Sequence, residues 1–141
     1  MLVNDVMNRK VVVVKKDATV KEASQVMARL GIGSLVVVED EKIVGMLTNH
    51  HIVKSVAEDK PAEGTLVEDL MSERVVTIEP GKELNDAVET MVENKVREIP
   101  VVEEGKIKGI LSVTDIAVVE PKLIASIANL LQMQLPGYKA G

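Results

Sequence analysis

Gly109-Ile-Leu-Ser-Val-Thr-Asp-Ile116 places two hydroxyls and a carboxylate where an apolar stretch gives way to a helical pattern. Read as a buried strand turning into a helix, it sets Ser112, Thr114 and Asp115 beside unpaired backbone N–H groups and the positive end of a helix dipole. Such a junction favours an anion such as phosphate, while an ionised Asp accepts hydrogen bonds from sugar hydroxyls. The stretch Gly45-Met-Leu-Thr-Asn-His-His-Ile52 shows the same pattern 64 positions earlier, with Thr48 in place of Ser112 and His51 in place of Asp115. The chain is a duplication.

The repeat holds one register without a gap. Val3 matches Val67, Met7 matches Met71, Val12 matches Val76, Ala23 matches Ala87, Met27 matches Met91, Val37 matches Val101 and Leu47 matches Leu111. In the first copy, Val11 to Val14 is a β-branched run between charged residues, which suits a short buried strand. The period then changes: Asp17 or Thr19 caps a helix with apolar positions at Val20, Ala23, Met27 and Leu30, and Gly31 ends it. Ser34 to Val38 and Ile43 to Leu47 are strands around a polar turn, and Thr48 opens a second helix to about Ala57. Glu58 to Gly64 is the linker.

Each half therefore reads strand, helix, strand, strand, helix, an α+β arrangement with repeat 1 at residues 1–60 and repeat 2 at 61–120. A unit of about sixty residues buries too little surface to be robust alone, so the halves are expected to pack about a pseudo-twofold axis. Two similar clefts would result. Residues 121–141 form a third segment, with Lys122 to Leu135 predicted as an extra helix and the tail from Tyr138 frayed.

Composition narrows the function classes. The 141 residues include no Cys, so disulfides and thiol chemistry are excluded. With one Tyr and no Phe or Trp, the core must come from Val, Ile, Leu, Met and Ala. A net charge of −5 argues against binding nucleic acid through phosphate contacts. No apolar run is long enough to span a bilayer, and Met1 to Val14 has no leader pattern, so the expectation is a soluble, cytoplasmic protein without a membrane role.

The chain resembles a tandem pair of CBS domains, the arrangement called a Bateman module, over Leu2 to Val119. The resemblance is carried by the two Val-Met/Leu-Met leads, the Gly45 and Gly109 turns, Val96-Arg-Glu-Ile-Pro-Val-Val102 and Ser112-Val-Thr-Asp115. It implies two β-α-β-β-α units around a pseudo-twofold. It also implies regulatory binding of an adenine nucleotide (AMP, ADP or ATP) or a related adenosyl compound such as S-adenosylmethionine, and assembly into a homodimer. By resemblance, the Asp takes the ribose hydroxyls, the Ser or Thr three residues earlier takes the phosphate, and adenine rests on the first strand and second-strand start of the partner unit. One site then joins Ser112, Thr114 and Asp115 to Val11, Val12 and Val13, with Gly33 and Ser34. The other joins Thr48 and His51 to Val75, Val76 and Thr77, with Arg97 and Glu98. The Asp115 site is expected to be the better one, because His51 replaces the ribose carboxylate and neutral imidazole offers one donor and one acceptor.

Other readings of the same residues stand beside this one. Ser112 and Asp115 also have the outline of a capping box. Arg97 is either a phosphate contact or a surface partner of nearby acids. His50 and His51 are adjacent, so they do not face one point on a helix, and no metal site is expected. Catalysis would need a nucleophile beside a base in one cleft, and Ser112 or Thr48 near His51 is the only proposal available. The expectation is therefore a sensor without turnover or resident cofactor, signalling to an unidentified regulated protein. The alternative is a protein-interaction or dimerisation module with no nucleotide.

Overall fold

The computed structural model describes residues 1–123 and 125–128. In chain order the elements are α1 (Val3–Val6), β1 (Val13–Lys15), α2 (Val20–Leu30), β2 (Ser34–Glu39), β3 (Lys42–Thr48), α3 (Asn49–Ala57), α4 (Val67–Leu70), α5 (Leu84–Asn94), β4 (Glu98–Glu103), β5 (Lys106–Ser112) and α6 (Val113–Val119). A 3-10 turn at Pro121–Leu123 and helical residues 125–128 follow. The architecture is α+β, as the periodicity predicts. Among the described residues no helix is long and apolar enough to cross a membrane.

The chain divides into two compact units, one spanning Val11–Val75 and the other combining Met1–Lys10 with the residues from Val76 onward. The division does not follow the repeats. The short leading helix of each repeat, α1 or α4, is built into the unit formed by the other repeat.

In the Val11–Val75 unit, Thr19 caps α2: its hydroxyl accepts the Glu22 N–H at 3.1 Å, and the Glu22 carboxylate accepts the Thr19 N–H at 3.4 Å. Gly31 ends the helix at φ +64°, a left-handed conformation that glycine adopts without a Cβ clash. Val20, Ala23 and Met27 are buried, whereas Leu30, predicted on the same stripe, is 49% exposed at the last turn. β1 runs parallel to β2, and β2 runs antiparallel to β3 through a tight turn at Asp40 and Glu41. The ladder pairs Val38 with Ile43 and then Val37 with Gly45, so Val44 is an extra residue that bulges β3. Ala23, Met27, Leu35, Val37, Leu47 and Val67 form the core, each large aliphatic contributing about 1.5–3 kcal/mol when fully buried.

The second unit repeats the β2–β3 hairpin as β4–β5, with the same register and the same bulge. Its first strand differs. Val11 to Val14 was expected as a strand and appears as Val13–Lys15, but the equivalent stretch around Val75 to Thr77 reduces to one parallel bridge, Ile78 with Val101. Pro100 accounts for this. In the first unit the Val36 N–H donates to the Val12 carbonyl at 3.2 Å. Pro100 occupies the equivalent place and has no N–H to offer Val76, so the ladder cannot begin there.

Gly45 and Gly109 are required by close approach. A Cβ on Gly109 would lie 2.8 Å from Met7 Sδ and 2.9 Å from the Asn8 carbonyl oxygen; one on Gly45 would lie 2.5 Å from Met71 Sδ and 2.9 Å from the Ser72 carbonyl oxygen. The leads dock at these glycines through paired backbone bonds, Asn8 with Ile110 at 2.8 and 2.9 Å and Ser72 with Met46 at 2.9 and 3.0 Å. Beyond α6, Ile127 is fully buried in a core cluster with Val3, Leu111 and Ile116, so this part of the predicted extra helix packs on its own unit. Residue 124 and the stretch 129–141, including the helix end at Leu135 and Tyr138, lie outside the described residues.

Candidate ligand-binding site

Ser112 ends β5 in an extended conformation and caps α6. Its hydroxyl accepts the Asp115 N–H at 3.1 Å, and Asp115 Oδ2 accepts the Ser112 N–H at 3.3 Å. The capping box inferred from sequence is therefore present. It occupies one carboxylate oxygen; Oδ1 has no hydrogen-bond partner among the described residues. Ser112 and Asp115 are half-buried and Thr114 is exposed, so the cap and an external contact are compatible at one residue.

Hairpin register adds neighbours to this helix start. Glu98 lies opposite Ser112 across β4 and β5, and the Val113 N–H donates to the Arg97 carbonyl at 2.9 Å. Arg97 forms no ion pair among the described residues, which leaves its guanidinium without the surface acid partner considered above. In the other unit Ser34 lies opposite Thr48, and the Asn49 N–H donates to the Gly33 carbonyl at 3.0 Å. A Cβ on Gly33 would stand 2.9 Å from the Asn49 amide nitrogen, so that side chain seats where Gly33 has none. Arg97 and Glu98 thus neighbour Ser112, and Gly33 and Ser34 neighbour Thr48, within single units. Sequence reading missed these proximities, although a two-residue turn and a one-residue bulge, counted from Asp40 or Glu104, generate them.

The Thr48 helix start is built differently. The Thr48 hydroxyl makes no cap bond to the helix. Instead His51 Nδ1 receives the Thr48 N–H at 3.0 Å and lies 3.3 Å from Thr48 Oγ1. Burial first, and then electrostatic repulsion of a charged ring by the neighbouring His50 and Lys54 side chains, hold the His51 pKa below its ordinary value. The imidazole is accordingly neutral in ordinary buffer, as an acceptor at Nδ1 requires.

The remaining predicted residues fall in their own units. Val11 and Val12 are half-buried and Val13 exposed in one; Val76 is half-buried and Thr77 exposed in the other, with half-buried Val75 at the end of the first. Thr77 also lines an open groove of about 590 Å³ with Glu79, Lys82, Asp86, Glu89 and Glu93. That groove includes none of Ser112, Thr114 and Asp115, and its carboxylates would repel a phosphate.

Comparison with known proteins fits this geometry. The CBS domain family matches residues 3–58 and again 67–121. The chain belongs to the CBS-domain family and carries two copies of the domain. It is 37% identical over 128 residues to an uncharacterized protein of Methanopyrus kandleri, covering 89% of this chain and 65% of that protein, so it spans just under two thirds of that relative's length. It is 32% identical over 117 residues to the CBS domain-containing protein YhcV of Bacillus subtilis, covering 82% and 83% of the two chains. Its fold matches the CBS domain pair of protein MJ0100, crystallised with 5′-methylthioadenosine and S-adenosyl-L-methionine. There the TM-score is 0.79 at 22% identity, covering 86% of this chain and 97% of that one.

Proposed function

We propose that this CBS pair is a regulatory module that binds an adenosine-containing ligand without turning it over and passes the binding state to a separate protein. The observation that carries the reading is the Asp115 carboxylate, half-buried at a helix start with one oxygen in the cap and Oδ1 without a described partner. An ionised carboxylate in that position accepts vicinal ribose hydroxyls. Ser112, Thr114 and the neighbouring Arg97 supply hydroxyl and cationic groups for phosphate. The adenosyl compounds bound by the MJ0100 pair support the ligand class. Signalling then follows from differential affinity: a ligand that binds one conformation more tightly shifts the population towards it.

Isothermal titration calorimetry against AMP, ADP, ATP and S-adenosylmethionine tests this. Asp115→Asn is the informative variant, because its amide oxygen still caps Ser112 while the charge is removed. Loss of charge-assisted hydrogen bonds should weaken binding by about 1.5–3 kcal/mol. Equal affinity in the wild type and the variant, or no heat from any of the four compounds with a folded, ligand-free protein, would reject the assignment.

A second reading, an interaction or dimerisation module, is favoured by one observation. Val53 and Val56 on α3 are 66% and 69% exposed, and Val118 on α6 is 77% exposed. Sedimentation velocity on the apo protein separates the readings: self-association lost in Val53→Lys/Val56→Lys, with no nucleotide binding, would favour this one.

A further inference from the structure

The repeat-equivalent residues Asp115 and His51 meet the same structural demand with opposite consequences for a ligand. Each supplies an acceptor to the backbone N–H of its helix cap, Asp115 to Ser112 at 3.3 Å and His51 to Thr48 at 3.0 Å. A backbone N–H can only donate, so His51 Nδ1 must carry no proton, and the single proton of the neutral ring must sit on Nε2. The Asp leaves a second acceptor free. The His leaves a donor, and Nε2 has no hydrogen-bond partner among the described residues.

We infer that His51, locked as its Nε2–H tautomer by the Thr48 amide, sets the ligand chemistry at the first repeat's helix start and selects an anionic oxygen there in place of sugar hydroxyls. This deepens the proposed function and rests on its reading of Asp115 as the hydroxyl-accepting counterpart. Two further features point the same way. Lys54 acts on His51 as a positive neighbour, and no acidic side chain among the described residues is a cause of its shift. Ser34 and Gly33, beside Thr48, add no carboxylate, whereas Glu98 stands at the equivalent place beside Ser112. A hydroxyl can still accept one bond from Nε2, but it gains no acceptor for its own proton from this ring. A phosphate oxygen accepts without needing one, and gains from the nearby Lys54 ammonium.

The test uses the full chain with ring-¹⁵N histidine. The protein has only two His residues, so a His50→Gln variant assigns the spectrum. Long-range ¹H–¹⁵N correlation near neutral pH should show a bare Nδ1 and a protonated Nε2 for His51; an Nδ1–H or mixed tautomer overturns the inference. Inorganic phosphate, adenosine and AMP are then titrated into the Asp115→Asn protein. Phosphate and AMP should shift the His51 Nε2 resonance saturably and adenosine should not. A response to adenosine alone, or to none of the three, overturns it. His51→Asn, which preserves one acceptor and one donor, should keep phosphate affinity within about threefold, and His51→Asp should lose it by about tenfold or more, the scale of a charge-assisted bond. Failure of the parent reading has a separate signature: AMP heat in the wild type that is unchanged in Asp115→Asn, whatever His51 does.

Discussion

Gly109→Ala should be among the most damaging single-methyl additions in the chain. The added Cβ would sit 2.9 Å from the Asn8 carbonyl oxygen and 2.8 Å from Met7 Sδ. A thioether can swing aside, but the carbonyl is pinned, because it accepts the Ile110 N–H at 2.9 Å while the Asn8 N–H donates to Ile110 at 2.8 Å. Relief requires the lead to back away by several tenths of an ångström, which weakens both bonds. Overpacking of a close-packed site costs about 1–3 kcal/mol, and each backbone bond lost adds about 0.5–1.5 kcal/mol. The combined expectation is about 2–4 kcal/mol, or a fall in Tm on the order of 6–15 °C at roughly 3–4 °C per kcal/mol for a domain of this size. With no Trp and one Tyr in the chain, far-UV circular dichroism during urea and thermal unfolding is the suitable probe. Met7→Ala removes the sulfur but leaves the carbonyl, so the double variant should recover little. A Gly109→Ala protein within about 1 °C of the wild type, or full rescue by Met7→Ala, would refute the close-approach account.

Stability should fall in mild acid through His51. Its folded pKa lies below the ordinary 6.5, so the unfolded chain binds the proton more readily. The contribution is fully present above 6.5 and is lost as pH falls through the folded value; His51→Asn should flatten urea midpoints over that window, and an unchanged slope would count against the cap. Lys95 holds the left-handed place at the end of α5, φ +55°, that Gly31 fills in the first repeat. Lys95→Gly should therefore stabilise by about 0.5–1 kcal/mol, read as a higher urea midpoint, and destabilisation would show that Lys95 contributes more through its side chain than its backbone costs.

Much of the order of strands and helices was legible because short apolar runs and a helical period recur at fixed spacing in the two copies, and because Gly31, Thr19 and Thr48 are strong local signals; the short leading helices α1 and α4 carry too few residues to show a period. What periodicity could not show was where each lead would dock. Met7 and Met71 read simply as repeated apolar residues; only the contact of each with the glycine of the opposite repeat explains why Gly45 and Gly109 carry no side chain. The lost strand in the second repeat was written in Pro100, yet its effect depends on which neighbour needed the missing N–H, and that is a fact of register. The site followed the same division. The placement of Ser112, Asp115, Thr48 and His51 at helix starts was legible from the apolar run before each of them, while the adjacency of Glu98 to Ser112 and of Ser34 to Thr48 required the bulges to be counted.

The capping geometry also explains how the two copies can differ at this position. Folding asks only for an acceptor three positions after the cap, reaching back to one backbone N–H, and a carboxylate oxygen or an imidazole Nδ1 satisfies that equally. Hydroxyl recognition asks for a second acceptor on the same side chain. Asp meets both requirements, whereas His meets the first and reverses the second. On the proposed reading, replacing Asp with His preserves the helix start while changing the ligand chemistry, which would separate stability from recognition at one position. The converse substitution, His51→Asp, should leave folding near that of the wild type above pH 6.5 and alter only what the helix start will hold.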